Sequence, residues 1–504
     1  MQHEEWRPKS NPWLICIAVM LAATMEVLDT SIANVALPQI AGNLSATTHE
    51  GTWVLTSYLV ANAIILPASA WFGSFFGRKR VLLVCISLFT ISSVLCGIAG
   101  SLGQLVLFRI FQGIGGGALQ PISQAILLES FPKEKRTSAM AVFAMGVIVA
   151  PIIGPVIGGW LTDNFSWRWL FFINVPVGVI AVIMSKVFVE DPPYIRKTRT
   201  GIDYYGFSLM ALGLGALQLI LDKGQEADWF QASWICWTAI VVVISLVAFI
   251  IWEFRVKHPV VDLRILKDRN LTGGMIIAFM IGAIMYGVMA LMPLFYQTMM
   301  GYTAYLSGLI LVPLGIGAFI GAMSVSRLCV YFKNKVLIAA GLVIIGLAAL
   351  SLGNINLQIS MDSRVVPLFI LGFGTMMVFV PLSIVAFGTL HASDIGNGSG
   401  LFNLMRNIGG SVGIAVSTTV LSRMAQAHQA ALVGQLNPFN QMYQQVTKAY
   451  SGLADGLLYR ELTRQAALLS YIDCFQYYGI VAFSCVFLVF IFREVKNKGT
   501  VMVH

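Results

Sequence analysis

Two acidic residues stand three positions apart in an apolar stretch near the start of the chain. Glu26 and Asp29 lie in the segment MEVLDTSIANVALPQI, Met25 to Ile40, and Arg109 lies in a second apolar stretch. Residues three apart share one face of a helix. An ionised side chain at the centre of a membrane costs on the order of 2.5–3.5 kcal/mol on insertion scales, so such residues face a cavity or a partner and mark ion pathways. The chemistry these residues could perform is reversible proton binding beside a fixed positive charge.

The depths of these side chains predict a pair. In helices of opposite direction, Asp29 lies roughly 8 Å and Arg109 roughly 10 Å from the helix midpoints, towards the same side. We therefore expect a switchable ion pair, with Asp29 as proton carrier and Glu26 as a second proton site or a contact for a cationic substrate. Neighbouring carboxyls removed from water can exchange a proton near neutral pH, and they titrate as a coupled pair. The alternative is a static ion pair that only fixes helix packing.

The elements that must hold these residues are membrane helices. Hydrophobic residues make up 57% of the chain and charged residues 11%, which is far from the soluble average. Apolar segments of roughly 20 residues, each long enough to cross a hydrocarbon layer of ~30 Å, recur along the chain. We predict an all-α polytopic membrane protein with fourteen spans, at 13–35, 52–72, 81–101, 104–128, 138–160, 168–189, 204–222, 233–254, 273–299, 305–327, 336–354, 364–390, 400–423 and 474–493.

The positive charges predict the orientation, because cytoplasmic loops hold the excess of lysine and arginine. Most of the 32 basic residues fall in alternate connections, which places both termini in the cytoplasm. Only the cytoplasmic connection 391–400 carries no lysine or arginine. The net charge of +9 therefore belongs to these loops and does not indicate nucleic-acid binding.

The spans divide into six, two and six. We expect an N-terminal six-helix bundle at 1–189, a linker with two additional helices at 190–270, and a C-terminal six-helix bundle at 271–504, with a site between the bundles at mid-membrane. The outer segment 424–473 is far longer than the other outer loops. It predicts an ordered extracytoplasmic subdomain, which either docks a partner or acts as a passive cap or lid.

Several kinds of chemistry are absent or only imitated. No phosphate-cradling Gly-x-x-x-x-Gly-Lys-Ser/Thr occurs. The GIGGGA stretch at 113–118 lacks the strand that a dinucleotide site needs. GGSVG at 409–413 matches a serine-hydrolase turn but lies within a span, so helix packing explains it better than a nucleophilic Ser411. Seven cysteines and six histidines show no metal-ligand spacing. We expect no enzyme activity, no metal and no cofactor, with a proton gradient as the energy source.

Polar residues inside other spans are candidates for a substrate cavity or gate. They are Asn34, Asn62, Gln112, Gln120, Gln124, Asn403, Arg406 and Asn407. Arg406 falls nearer the cytoplasm than Arg109, so we expect either a gate or substrate contact there, or a static link between helices.

The fifth span combines small residues with prolines. GVIVAPIIGPVIGGW places Gly146, Gly154 and Gly158 on one smooth face, with Gly159 beside it, where a neighbouring backbone can approach closely. Pro155 removes a backbone donor and predicts a bend. A bent helix with a small face suits a pivot between bundles, although tight packing alone would also account for the glycines.

These motifs resemble a known family. APIIGPVIGGWL resembles the antiporter motif of the major facilitator superfamily, and VLDTSIANVALPQIA at 27–41 resembles the fourteen-span drug:proton antiporters of the EmrB type. LVLFRIFQGIGGGALQP at 105–121 is similar to the span-four motif, with Arg109 as its arginine. Gly77, Arg78 and Arg80 match the loop after span two. Ser74 stands where that loop usually has an acid, so a carboxylate gate in the loop is not expected.

The resemblance implies a function. We expect proton-coupled export, typical of multidrug efflux, of lipophilic small molecules across a bacterial cytoplasmic membrane. An EmrA-type periplasmic adaptor and a TolC-type outer-membrane channel would be partners, alongside membrane lipid. The alternatives are a dedicated exporter of one metabolite, fatty acid or siderophore, a non-transporting receptor or scaffold, and a membrane hydrolase using Ser411.

Overall fold

The computed structural model describes residues 8–192, 203–257, 259–391, 394–434, 444 and 454–493. All regular structure in these ranges is helical, which confirms the predicted fold class. The fourteen long helices are α1 Pro12–Val35, α2 Trp53–Phe76, α3 Arg78–Ile98, α4 Leu102–Ser130, α5 Lys133–Asn164, α6 Trp169–Phe188, α7 Tyr204–Lys223, α8 Ser233–Arg255, α9 Arg269–Thr298, α10 Tyr305–Tyr331, α11 Asn334–Leu352, α12 Val365–Gly388, α13 Ile395–Val433 and α14 Ala454–Leu488.

Thirteen of the described helices are long and apolar enough to cross a membrane, and α13 is the remaining predicted span. Its sequence is more polar because it carries Asn403, Arg406 and Asn407, yet it packs between α9 and α14. Helix α13 continues to Val433 and α14 begins at Ala454. Both ends of the outer segment 424–473 are therefore helical continuations, whereas 435–443 and 445–453 lie outside the described residues.

Polar side chains fix where several helices begin. Asn11 accepts a hydrogen bond from the backbone of Trp13 at 3.0 Å, and Asp268 accepts from Leu271 at 2.9 Å. Each such cap satisfies a backbone donor that the helix leaves unpaired and contributes about 1 kcal/mol.

The helices pack in two groups. Helices α1–α6 contact one another, α9–α14 form the second group, and the groups meet where α13 contacts α2 and α4 and where α5 contacts α10 and α12. Helix α7 packs on α2 and also touches α13, while α8 packs mainly on α7. We call the groups the N-bundle and the C-bundle; the exact domain limits at 189 and 270 stay predictions.

Consecutive helices run in opposite directions, so the basic connections gather at one end of the molecule. This end, the basic side, holds the start of α1 and the connections α2–α3, α4–α5, α6–α7, α8–α9, α10–α11 and α12–α13. The other end is called the opposite side.

Close backbone contacts between α10 and α12 generate a prediction. A Cβ on Gly372 would lie 2.0 Å from the carbonyl oxygen of Leu314, whereas one on Gly103 would meet nothing within 4 Å. We expect Gly372→Ala to destabilise the protein by about 1–3 kcal/mol through overpacking. Gly103→Ala is the matched control, because alanine favours a helix by up to about 1 kcal/mol over glycine. Thermal unfolding in detergent measures both, and equal unfolding temperatures would contradict the packing.

Candidate functional site

The carboxylate of Glu26 is surrounded by three donors of the N-bundle. Tyr58 donates at 3.2 Å and Asn62 at 3.0 Å, both from α2, and Gln120 of α4 donates at 2.5 Å. Glu26 is 4% exposed, and that small exposure faces a cavity. Glu26 is thus a buried acceptor that a ligand or a proton can reach.

Asp29 lies one turn further along α1 and forms a buried ion pair. Its Oδ2 is 2.5 Å from Nη1 of Arg109, and its Oδ1 accepts from Gln112 at 2.9 Å and from Asn174 at 2.7 Å. Asp29 is 1% exposed and Arg109 is fully buried. Asp29 and Arg109 therefore lie at the same depth and in contact.

Arg109 is held from several directions. Its Nε donates to the carbonyl oxygen of Val54 at 3.0 Å, and its guanidinium lies 4.3 Å from the ring centroid of Tyr58 and 5.7 Å from that of Phe171. Its Nη2 has no hydrogen-bond partner in the part of the chain that the structure describes. Stacking and one backbone acceptor therefore fix the arginine independently of Asp29.

Tyr58 connects the two acids. Its hydroxyl donates to Glu26, and its ring packs on the guanidinium that pairs with Asp29. Gly116 leaves room for this arrangement, since a Cβ there would lie 2.6 Å from the Tyr58 hydroxyl. A change of charge at either acid therefore acts on the same tyrosine.

Two members of the Asp29 network were missed by the sequence analysis. Asn174 of α6 and Ser93 of α3 lie on helices remote in sequence from Asp29, and Gln112 donates to Ser93 at 2.7 Å. Asn174 stands in the apolar stretch WRWLFFINVPVG, where an isolated amide inside a span is the signal that could have identified it.

A cavity of about 520 Å³ lies between the bundles. Its walls come from the parts of α1, α2, α5, α7, α9 and α10 nearer the opposite side, from the middle of α13 and from Gln120 of α4. The polar lining residues are Glu26, Thr30, Ser31, Tyr58, Asn62, Gln120, Gln218, Asp222, Tyr286, Gln297, Asn407 and Ser411. Asn62, Gln120 and Asn407 were predicted there, whereas Gln112 belongs to the Asp29 network and the side chain of Asn34 lies outside the described part.

On the basic side of the cavity, contacts between the two bundles close the space between them. Gln124 of α4 accepts hydrogen bonds from Ser399 at 2.9 Å and from Asn403 at 2.7 Å. Arg406 donates to Oε1 of Gln120, the residue whose amide nitrogen donates to Glu26. A continuous hydrogen-bonded chain therefore runs from Arg406 of the C-bundle through Gln120 to Glu26 of the N-bundle.

Comparisons with known proteins identify the family of this chain. The sequence profile described as Major Facilitator Superfamily matches residues 19–414. The chain belongs to the major facilitator superfamily. The multidrug export protein EmrB of Escherichia coli (strain K12) is 36% identical over 468 residues, covering 91% of this chain and 90% of that protein. The fatty acid resistance protein FarB of Neisseria gonorrhoeae is 37% identical over 448 residues, covering 88% and 87%.

A solved structure shares the fold. The crystal structure of the human organic anion transporter MFSD10 matches with a TM-score of 0.62 at 13% identity, covering 95% of this chain and 100% of that one. The sequence match to EmrB confirms the resemblance to EmrB-type proteins, and the chain is a multi-pass membrane protein of a transporter superfamily.

The small-residue face of α5 packs against α1. A Cβ on Gly154 would lie 2.7 Å from the Ser31 side chain, and one on Gly146 would lie 2.6 Å from Thr24. Gly158 lies against Ile32. A Cβ on Gly159 would lie 3.5 Å from the backbone of Tyr305, which stands at the start of α10 in the C-bundle. Helix α5 therefore contacts α1 through its small face and α10 of the C-bundle through Gly159.

Pro155 leaves a carbonyl of α5 without its helical donor, because proline has no backbone N–H. That carbonyl belongs to Pro151, and it accepts a hydrogen bond from the Ser31 hydroxyl at 2.7 Å. The freed carbonyl is thereby satisfied inside the protein, as a membrane requires.

The loop motif lies on the basic side. Gly77 adopts φ +90°, and a Cβ on it would lie 2.6 Å from the Asp191 carboxylate. The same carboxylate accepts a hydrogen bond from the backbone N–H of Lys79 at 2.8 Å. Arg78 pairs with Glu129, and Arg80 is exposed. Asp191 thus supplies a carboxylate next to a loop whose usual acid position holds Ser74.

The buried pair generates a double-mutant prediction. Arg109→Met leaves the Asp29 carboxylate uncompensated in the protein interior, and we expect a loss of about 3–5 kcal/mol. Asp29→Asn in the same chain removes that charge, so the double variant should be more stable than the sum of the single changes indicates. Thermal unfolding of the four proteins measures the coupling, and strict additivity would argue against an ion pair.

Proposed function

We propose that this transporter exports amphipathic or apolar small molecules in exchange for protons, by alternating access of the cavity to the two sides of the membrane. The observation that carries the proposal is the chain Arg406–Gln120–Glu26, because it joins a cavity-facing acid to a contact between the bundles. EmrB and FarB, named for multidrug export and fatty acid resistance, support export.

The first step takes place at Glu26. In the ionised form it accepts three hydrogen bonds, and Gln120 is oriented so that its oxygen receives Arg406. A proton arriving through the cavity neutralises Glu26 and turns one of its oxygens into a donor. The amide of Gln120 then loses its acceptor and can turn, which weakens its contact with Arg406 and releases the basic side.

The second acid holds the N-bundle together. Ionised Asp29 fixes Arg109 against α2, and protonation of Asp29 removes the charge that balances the arginine. Tyr58 carries this change to Glu26 through its ring and its hydroxyl. Asp29 is therefore the charge switch of the bundle, and Glu26 is the acid with access to the cavity.

A proton gradient supplies enough energy for this cycle. One proton moving down ~100 mV releases roughly 2.3 kcal/mol, and one pH unit of gradient adds about 1.4 kcal/mol. Together they correspond to a concentration ratio of roughly 500-fold per proton, at about 1.4 kcal/mol for each factor of ten. No nucleotide, metal or other cofactor takes part in the proposed cycle.

The proposal includes no enzymatic step. Ser411 lines the cavity, and its hydroxyl exchanges hydrogen bonds with the amide of Gln218 at 3.0 and 3.1 Å. An amide cannot serve as the general base that a serine nucleophile needs. Ser411 is a contact between α7 and α13.

Location and partners follow from charge and from the outer segment. The basic side faces the cytoplasm of a bacterial cell, with both termini there. The outer segment 424–473, which includes the continuations of α13 and α14, then lies on the periplasmic side, where an EmrA-type adaptor that leads to a TolC-type channel would dock.

FarB favours one alternative within the same class. A protein 37% identical to this chain is named for fatty acid resistance, so a dedicated exporter of one amphiphile with the same proton-coupling residues is the second candidate.

The coupling residues can be tested by flux. In proteoliposomes with an imposed pH gradient, we expect Asp29→Asn and Glu26→Gln to reduce uphill export to the level of passive equilibration, because neither variant can take up the proton that drives the cycle. Glu461→Gln, which removes an exposed acid outside the cavity, is the matched control and should export like the unmodified protein. Gradient-driven export that survives both substitutions would refute the assignment.

The partner assignment calls for a different experiment. Replacing residues 435–453 by a short Gly/Ser linker should leave proteoliposome flux unchanged, because the cavity and both acids are intact. Cells that express this variant should lose resistance to the exported compound. The purified variant should not bind the adaptor. Full cellular resistance with the linker in place would exclude this segment as the docking site.

A further inference from the structure

Helix α7, one of the two helices outside the bundles, contributes a second carboxylate to the cavity. Asp222 lies near the end of α7 on the opposite side and lines the cavity together with Gln218 of the same helix. Gln218 and Ser411 join α7 to α13, while Asp222 accepts from Thr56 of α2. Helix α7 therefore forms a wall of the cavity in contact with both bundles.

The positions of the two cavity acids follow from their partners on α2. Glu26 is bonded by Tyr58 and Asn62, and Asp222 by Thr56. These partners are two to six residues apart, which corresponds to roughly 3–9 Å along the helix. One small organic molecule in the cavity can therefore contact both carboxylates.

The charges around the cavity do not cancel. The described lining includes Glu26 and Asp222 but no lysine or arginine. Arg109 is paired with Asp29, and Arg406 contacts Gln120 next to Glu26. These two arginines balance the charges of Asp29 and Glu26, the acids of α1. Asp222 has no arginine of this kind beside it.

The lysine beside Asp222 does not pair with it. The ammonium of Lys223 forms an ion pair with Glu226 at 3.0 Å and donates a hydrogen bond to Thr52. It lies 5.6 Å from the ring centroid of Trp53. Within the described part of the chain, Asp222 makes no ion pair. Asp222, Lys223 and Glu226 together carry a net negative charge, and within this group it is Asp222 that lines the cavity. The outer end of the cavity is therefore negative.

We propose that Asp222 is a specificity-determining residue that makes the cavity select amphiphiles with a positive charge over anionic ones. This rests on the proposed function, because it takes the cavity as the substrate site. The positive group of the ligand lies between Asp222 and Glu26, and its apolar part lies against Met289, Leu294 and Ile414. The Tyr286 ring in the same wall offers a further surface for a cation.

The charge preference can be measured without a gradient. Tetraphenylphosphonium and tetraphenylborate have nearly the same size and shape but opposite charge, and their binding to the purified protein in detergent gives a ratio of Kd values. We expect Asp222→Asn, which keeps the shape of the side chain, to raise the Kd for tetraphenylphosphonium about tenfold through loss of one nearby charge, and not to weaken tetraphenylborate binding. Asp222→Glu should restore the preference.

Asp228→Asn is the matched control. Asp228 is an exposed acid at φ 55° in the loop that follows α7, a conformation that asparagine tolerates. Its replacement removes the same charge outside the cavity and should leave the ratio unchanged. Because each variant is compared with the unmodified protein, partitioning of the probes into detergent cancels.

The outcomes separate this inference from the proposed function. An unchanged ratio in Asp222→Asn, or failure of the unmodified protein to bind tetraphenylphosphonium, would overturn the role of Asp222. Loss of the preference in Asp222→Asn supports that role even if proteoliposomes show no gradient-driven flux, a result that would instead refute proton coupling.

Discussion

The carboxylate of Glu26 is stable inside the membrane only because side chains from two helices donate hydrogen bonds to it. Tyr58, Asn62 and Gln120 provide them, and Gln120 in turn accepts from Arg406 of the other bundle. A charge in a low-dielectric interior is costly without such partners. The need to satisfy one buried acid therefore joins the two halves of the protein, and in the proposed cycle a proton on Glu26 releases one end of that connection.

Small residues make this connection geometrically possible. Gly282 of α9 lets the backbone of Arg406 approach so closely that a Cβ would lie 2.3 Å from its carbonyl oxygen. Gly154 of α5 likewise leaves room for Ser31 of α1. The Ser31 hydroxyl donates to the carbonyl of Pro151, which Pro155 leaves without a helical donor. Close helix contacts of this kind hold the acids and arginines at fixed depths, because membrane helices gain little from hydrophobic burial against one another.

The membrane helices and the Asp29–Arg109 pair could be predicted from the sequence. Apolar length predicted the spans, and residue counting along antiparallel helices placed Asp29 level with Arg109. The same method could not identify Asn174, Ser93 or Asp222, because it gives depth in the membrane but not which faces of distant helices meet. It also left Gln112 among the cavity residues, since an amide in a span predicts a polar neighbour without saying whether that neighbour is a ligand or an acid.

The most direct test of the account is the distance between the bundles on the basic side as a function of pH. Spin labels at the exposed positions Glu134 of α5 and Thr389, which follows α12, in a cysteine-free background report that distance by double electron–electron resonance. The account predicts that acidification lengthens the distance in the unmodified protein, and that Glu26→Gln shows the long distance at every pH. A distance that ignores pH, or one that still follows pH in Glu26→Gln, would contradict the link between the proton on Glu26 and the opening of the bundles.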